Sequence, residues 1–191
     1  MRQITCVLCF SCLYFNFAFT QVKYEKEYRI NKKNVPENIK SYLDTITFKN
    51  KIKWYKDEGL NKYTYEAKTS HRSLNFSIEF DSLGIIEDVE FEIEWKNIPK
   101  LVKKNIEIYL DSTYKKKKII KVQTQYTGKP ENLIDLIKDI ELNDRLIRKY
   151  EIVLKGKENE KFQMMEYLFS NEGKFEDKAT IIIKNTDNLE Y

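Results

Sequence analysis

One short frame occurs twice in this chain and limits what it can fold into. Phe80-Asp81-Ser82-Leu83-Gly84-Ile85-Ile86-Glu87-Asp88 and Phe169-Ser170-Asn171-Glu172-Gly173-Lys174-Phe175-Glu176-Asp177 share the pattern F-x3-G-x2-E-D. Two further landmarks precede each copy in the same order. Val35-Pro36 followed by Tyr42-Leu43-Asp44 matches Ile98-Pro99 followed by Tyr109-Leu110-Asp111, and Glu25-Lys26-Glu27-Tyr28 matches Glu92-Ile93-Glu94-Trp95. The second helix segment is longer by about one turn, which keeps the same apolar face toward a core. Matched landmarks in matched order argue for an internal duplication.

Each copy reads into elements. Pro36 and Pro99 suit the first turn of a helix, where a missing N–H costs nothing. Behind them Val35, Ile39, Tyr42, Leu43 and Ile46, and then Ile98, Leu101, Val102, Ile106, Tyr109 and Leu110, follow helical spacing. The period then drops to two. Tyr63, Tyr65 and Ala67, then Leu74, Phe76, Ile78 and Phe80, then Val89, Phe91, Ile93 and Trp95 alternate with polar residues, as half-buried antiparallel strands do. Gly84 and Gly173 fall where consecutive strands must turn and supply the positive φ that short hairpins need. The expected fold class is α+β: two tandem repeats, each a helix packed on an antiparallel sheet of about four strands, over 21–97 and 98–191. An insertion at about 127–148 carries Leu133, Ile134, Leu136, Ile137 and Ile140, a short amphipathic helix read as a cap over the second copy's extra apolar surface. That surface arises because Glu90, Glu92 and Glu94 are replaced at the same offset by Ala179, Ile181 and Ile183. The strand from Phe162 to Phe169 likewise adds Phe162, Met164 and Leu168 to its other face.

This order of motifs, E-x-E-Y/W, V/I-P, a helix ending Y-L-D, a lysine-rich strand (Lys51 to Tyr55; Lys118 to Val122), then F-x3-G-x2-E-D, resembles tandem PepSY-like domains of the β-lactamase-inhibitor-protein-like type. The likeness covers nearly all of Tyr24 to Ile183 except the insertion, and departs from the family at Ser170, where Asp81 stands in the first copy. It implies a secreted bacterial module with a helix on an antiparallel sheet, and an extracytoplasmic binding or protease-restraining role.

The N-terminus agrees with that address. Arg2 is the only charge before Lys23, and a largely apolar run from Ile4 to Phe19 lies between them. The run is short for a membrane span, and Ala18 and Thr20 stand at the positions a signal peptidase reads. We expect a signal peptide over 1–20 cleaved between Thr20 and Gln21, a periplasmic or secreted mature chain and no transmembrane segment in it. An uncleaved anchor and a lipoprotein built on Cys12 are the alternatives. Cys6, Cys9 and Cys12 are the chain's three cysteines. Their C-x-x-C-x-x-C spacing would leave with the leader, so the mature chain is expected to have neither disulfide nor thiol nucleophile.

The remaining chemistry is sparse. With 34 Lys plus Arg against 30 Asp plus Glu, the charge is too balanced for strong nonspecific nucleic-acid binding. Five Gly leave little material for phosphate cradles. His71 is the sole histidine, and Ser70 and Ser73 beside it form no nucleophile elbow. No metal and no cofactor are called for. Glu90, Glu92 and Glu94 share one strand face about 6.5 to 7 Å apart, a spacing that overlaps inverting glycosidases, so a carbohydrate-active hydrolase is the alternative function. Lys115, Lys116, Lys117 and Lys118 form a basic run after the second helix, where the helix dipole favours cations. The primary reading is a non-catalytic module that binds an envelope protein or glycan, with Trp54, Tyr55, Tyr63 and Tyr65 as aromatic anchors, because interfaces favour such side chains.

Overall fold

The computed structural model describes residues 26–181, apart from 49, 60–61, 72–73, 140–143 and 159–160. The expected leader over 1–20, Ser73 and Ile183 therefore lie outside the described residues.

Both proline steps start helices. Each is preceded by a single 3-10 turn, Lys32–Asn34 or Trp95–Asn97, and Pro36 and Pro99 take nearly identical extended conformations as the N-caps. Helix α1 (Glu37–Asp44) buries Ile39 and Leu43, and α2 (Lys100–Thr113) buries Val102, Ile106 and Leu110. These four-residue steps put one apolar stripe on a sheet. A third helix, α3 (Pro130–Asp139), buries Leu133, Leu136 and Ile137.

The strands overturn the expected pair of four-stranded sheets. β1 (Lys26–Ile30), β2 (Lys53–Glu58), β3 (Tyr63–His71), β4 (Leu74–Phe80), β5 (Ile86–Glu92), β6 (Lys117–Thr127), β7 (Ile147–Glu158), β8 (Lys161–Ser170) and β9 (Phe175–Thr180) form one nine-stranded sheet in chain order. All neighbouring pairs are antiparallel. The seam is β5 against β6, from Asp88 opposite Thr127 to Glu92 opposite Gln123. Two separate sheets would each leave a strand edge with unpaired N–H and C=O groups at this point; joining them pairs those groups and removes two sticky edges. β5 also stops at Glu92, so Trp95 belongs to the 3-10 turn and not to the strand.

All three helices pack on one face. The first core joins α1 and α3 to Trp54, Ala67, Phe76, Ile78, Phe80, Val89, Phe91 and Tyr126. The second joins α2 and Tyr114 to Val122, Tyr150, Ile152, Leu154, Met165, Tyr167 and Phe169. Helix α3 thus covers the first core, where the insertion was expected to cap the second copy's extra apolar surface. Fully burying one such aliphatic or aromatic side chain contributes about 1.5–3 kcal/mol, so each core is a substantial store of stability.

Both hairpins that carry the shared frame are tied to a helix by the same device. Gly84 and Gly173 have φ of 80° and 78°. Asn38 Nδ2 donates to the Leu83 carbonyl at 2.7 Å, and Asn105 Nδ2 to the Glu172 carbonyl at 2.8 Å. Asp81 Oδ1 accepts from the N–H groups of Leu83 and Ile85, and Ser170 Oγ accepts from those of Glu172 and Lys174. Serine therefore fills the role of aspartate in the second turn.

Candidate binding face

Strand alternation sorts the side chains. The row Trp54, Ala67, Ile78, Val89 and Tyr126, read across β2 to β6, points to the helices. The rows on either side of it therefore point away from them. One runs Tyr55, Glu66, Glu79, Asp88, Thr127; the other runs Lys68, Ser77, Glu90, Gln125, Lys149. No helix among the described residues covers this open face.

The face is organised by polar contacts. Glu90 Oε2 accepts from Gln123 Nε2 at 2.8 Å and from Ser77 Oγ at 3.3 Å, while Gln125 Nε2 reaches Asp88 at 3.2 Å and Glu90 Oε1 at 3.5 Å. Beside this cluster Lys68 Nζ lies 2.9 Å from Glu66 and 2.5 Å from Glu27, and 4.8 Å from the centre of the Tyr55 ring. Burial pushes the Glu66 carboxyl above its ordinary range; Lys68 offsets part of that rise, and the charges of Glu27 and Glu90 add to it. Burial pulls the Lys68 ammonium down, but Glu66 and Glu27 outweigh it and hold it above the usual lysine range.

The aromatic anchors read from the sequence separate. Trp54 is 4% exposed and sits in the first core, and Tyr65 packs against that core. Tyr63 is 38% exposed on the same side, edge-on to Tyr65 and beneath Lys56. Tyr55 is the one of the four on the open face. The basic run divides as well: Lys115 and Lys116 are exposed in the turn after α2, Lys117 pairs with Asp111, and Lys118 stands opposite Lys155 in β6 and β7. Of the acidic row, Glu90 and Glu92 lie on β5, whereas Glu94 is beyond its end and pairs with Lys96 at 2.7 Å. They do not form one catalytic line. His71 closes β3, opposite Leu74.

A groove of about 540 Å³ opens on this face. Lys51, Lys53, Lys68, Lys121, Glu92 and Gln123 line it, with Asn75 and Ser77 between them. Gln123 is 4% exposed, and its Oε1 has no hydrogen-bond partner among the described residues. The sequence reading missed Gln123, Gln125 and these lysines as a group. The available clue was the alternation of Gln123, Gln125 and Thr127 with Val122, Thr124 and Tyr126. A second cavity of about 410 Å³ lies at Tyr126, Arg148, Lys149 and Glu176, where Lys149 and Glu176 pair at 2.7 Å.

Toward β9 the open face becomes apolar. Val153 and Ala179 are buried, Met164, Leu168 and Ile181 are half-buried, and Phe162 is 55% exposed beneath Lys155. The expected loss of polarity on β8 is therefore present as surface. Among the described residues, no cluster of three or more His, Cys, Asp or Glu side chains is arranged to hold a metal ion, and no helix is long and apolar enough to cross a membrane.

Comparison with protein-family models finds no match, and comparison with curated proteins finds none either. Among solved structures, the chain is similar to a BLIP-like protein from Bacteroides fragilis, with 16% sequence identity and a TM-score of 0.47, over 82% of this chain and 92% of that one.

Proposed function

We propose that this chain is an extracytoplasmic, non-catalytic module that binds an envelope protein on its open sheet face and restrains it there. The observation that carries this reading is the polar network around Glu90 and Lys68, held in place on a face that no described helix covers. Side chains already fixed by mutual hydrogen bonds lose little freedom when a partner docks, and such preorganisation favours affinity. Tyr55, with Lys68 over its ring, supplies an amphipathic contact in the midst of that network. The apolar N-terminal run supports the address, and the PepSY-like resemblance supports the binding role.

The test is affinity capture from envelope extract with residues 21–191 at two salt concentrations, alongside two variants. Tyr55→Ala combined with Gln125→Arg alters the open face; Leu101→Ser alters an exposed position on α2. The expected result is one stoichiometric protein retained by the native chain and by Leu101→Ser and lost from the open-face variant. Equal retention by all three, or retention of glycan alone, would overturn the reading.

A further inference from the structure

We infer that the 540 Å³ groove on the open face receives an acidic side chain, with an adjoining backbone N–H, from an exposed segment of the protein partner. The inference rests on the binding role proposed above and assigns the chemistry of one place on that face.

Charge is the first observation. Lys68 is saturated by Glu27 and Glu66. Lys51, Lys53 and Lys121 also line the groove, yet none of them has an ion pair among the described residues, and the lining offers them a single carboxylate, Glu92. Along the same face Lys149 is matched by Glu176. The groove is a local excess of positive charge on a nearly neutral molecule, so an anion gains there what it would not gain on the surrounding surface.

The buried acceptor is the second observation, and it is independent of charge. Gln123 Nε2 must be the donor to Glu90, because a carboxylate only accepts; Oε1 is therefore the atom left over. A buried carbonyl oxygen without a partner is costly, and a ligand N–H or O–H that displaces the cover over it on binding relieves that cost. A simple anion such as chloride satisfies the lysines and leaves Gln123 as it was. An aspartate or glutamate residue within a peptide brings the carboxylate and the amide donor together.

Shape separates a peptide from an acidic sugar. The volume falls within the range of about 300–1,000 Å³ typical of ligand sites and holds more than a single small ion. Its aromatic residue, Phe76, is buried in the first core and presents no platform on which a sugar ring could stack. Amide and hydroxyl side chains fill the rim instead: Asn50 donates to Ser70, and Asn75 and Ser77 stand beside them.

The experiment is titration of the ¹⁵N-labelled full chain with the acetylated, amidated peptide Gly-Glu-Asp-Glu-Gly, and separately with trigalacturonate, followed by amide shifts. The peptide is expected to move resonances at 50–53, 68–70, 75–77 and 121–123. Lys51→Glu combined with Lys121→Glu should weaken peptide binding at least tenfold. Lys103→Glu combined with Lys104→Glu, the same charge change on α2, should leave it within twofold. Gln123→Leu should weaken it several-fold with the lysines intact. Equal weakening by the two charge variants, a footprint elsewhere, no binding of the peptide, or tighter binding of trigalacturonate at the same residues would each overturn the inference. Failure here is separable from failure of the wider reading: a captured protein still held by Lys51→Glu/Lys121→Glu removes the groove alone, whereas capture insensitive to Tyr55→Ala/Gln125→Arg removes the face.

Discussion

The two halves of the sheet agree on their covered side and part on their open side. Under the helices, each half has a proline-started helix, an aromatic core and a glycine hairpin clamped by a helix asparagine. On the open side, the first half carries carboxylates and Lys68, linked across the seam to the amides of β6, while the second half beyond β6 turns to Val153, Met164, Leu168 and Phe162. The covered side is constrained by packing, where a lost methylene is felt throughout a core. The open side has no helix among the described residues above it, so its chemistry is free to differ from one half to the other, and it is the face on which we propose recognition.

The largest expected effect probes how alike the clamps are. A Cβ on Gly173 would lie 2.5 Å from the Val102 carbonyl oxygen, a backbone atom of α2 that cannot swing aside; a Cβ on Gly84 would meet only the Asn38 side chain. Both substitutions also force an alanine into a left-handed conformation at about 1–2 kcal/mol. Gly173→Ala should therefore lose about 3 kcal/mol or more in denaturant unfolding, and Gly84→Ala about 2 kcal/mol, including its disturbed clamp. Equal losses would mean that α2 yields as easily as a side chain.

A smaller effect sharpens the contrast between the open faces. Lys68→Met leaves Glu66 with Glu27 and Glu90 near by and no cation, at a cost of about 1–2 kcal/mol at neutral pH, discounted because Lys68 is partly solvated. The sign with pH follows from Glu66. Its carboxyl is raised in the folded chain, so between the ordinary and the raised pKa the folded state binds more protons, and stability rises as pH falls through that window. The penalty of Lys68→Met should shrink on acidification, because removing the ammonium raises Glu66 further. In the native chain the contribution of Lys68 is complete below the unfolded lysine value of about 10.4 and is lost as pH climbs through its raised folded value. Thermal melts of both proteins across pH 4–8 measure the difference, and a constant gap would show that Glu66 does not sense Lys68.

The smallest effect exchanges the turn residues. Asp81 accepts its two N–H bonds at 2.9 and 2.8 Å, and Ser170 accepts its two at 3.2 Å. Charged acceptors bind more strongly, so Asp81→Ser should lose about 0.5–1 kcal/mol and Ser170→Asp should gain up to about 0.5 kcal/mol by chemical denaturation. A large loss from Ser170→Asp would show that the second turn is built for a hydroxyl.

What the sequence made legible follows from local physics. Pro36, Pro99, Gly84 and Gly173 announce backbone conformations, and the alternation through Phe76, Ile78 and Phe80 announces a half-buried strand. What it concealed is nonlocal. Pairing of β5 with β6 is written in backbone groups that every residue shares, so no side chain distinguishes one continuous sheet from two. The apolar stripe of α3 states that something is covered without stating which core. Trp54 is large and aromatic, equally suited to a core and to an interface, and only its register beside Ala67 and Ile78 decides. The groove gathers Lys51 and Lys53 from before and within β2, Lys68 from β3 and Lys121 from β6, which no spacing in the chain brings together.

Nine strands laid down in chain order also determine how the sheet opens from its edges. β1 and β9 occupy opposite edges of the sheet, and each hydrogen-bonds to one neighbour. The two edges are built differently: β9 returns directly from β8 as a hairpin, whereas β1 reaches β2 only through α1. Five of the eight strand pairs are direct hairpins, whereas β1–β2, β5–β6 and β6–β7 close over α1, α2 and α3, so the sheet combines local pairings with three that bring distant segments together. Opening the β9 edge therefore releases a local hairpin, while opening the β1 edge also frees the segment that carries α1.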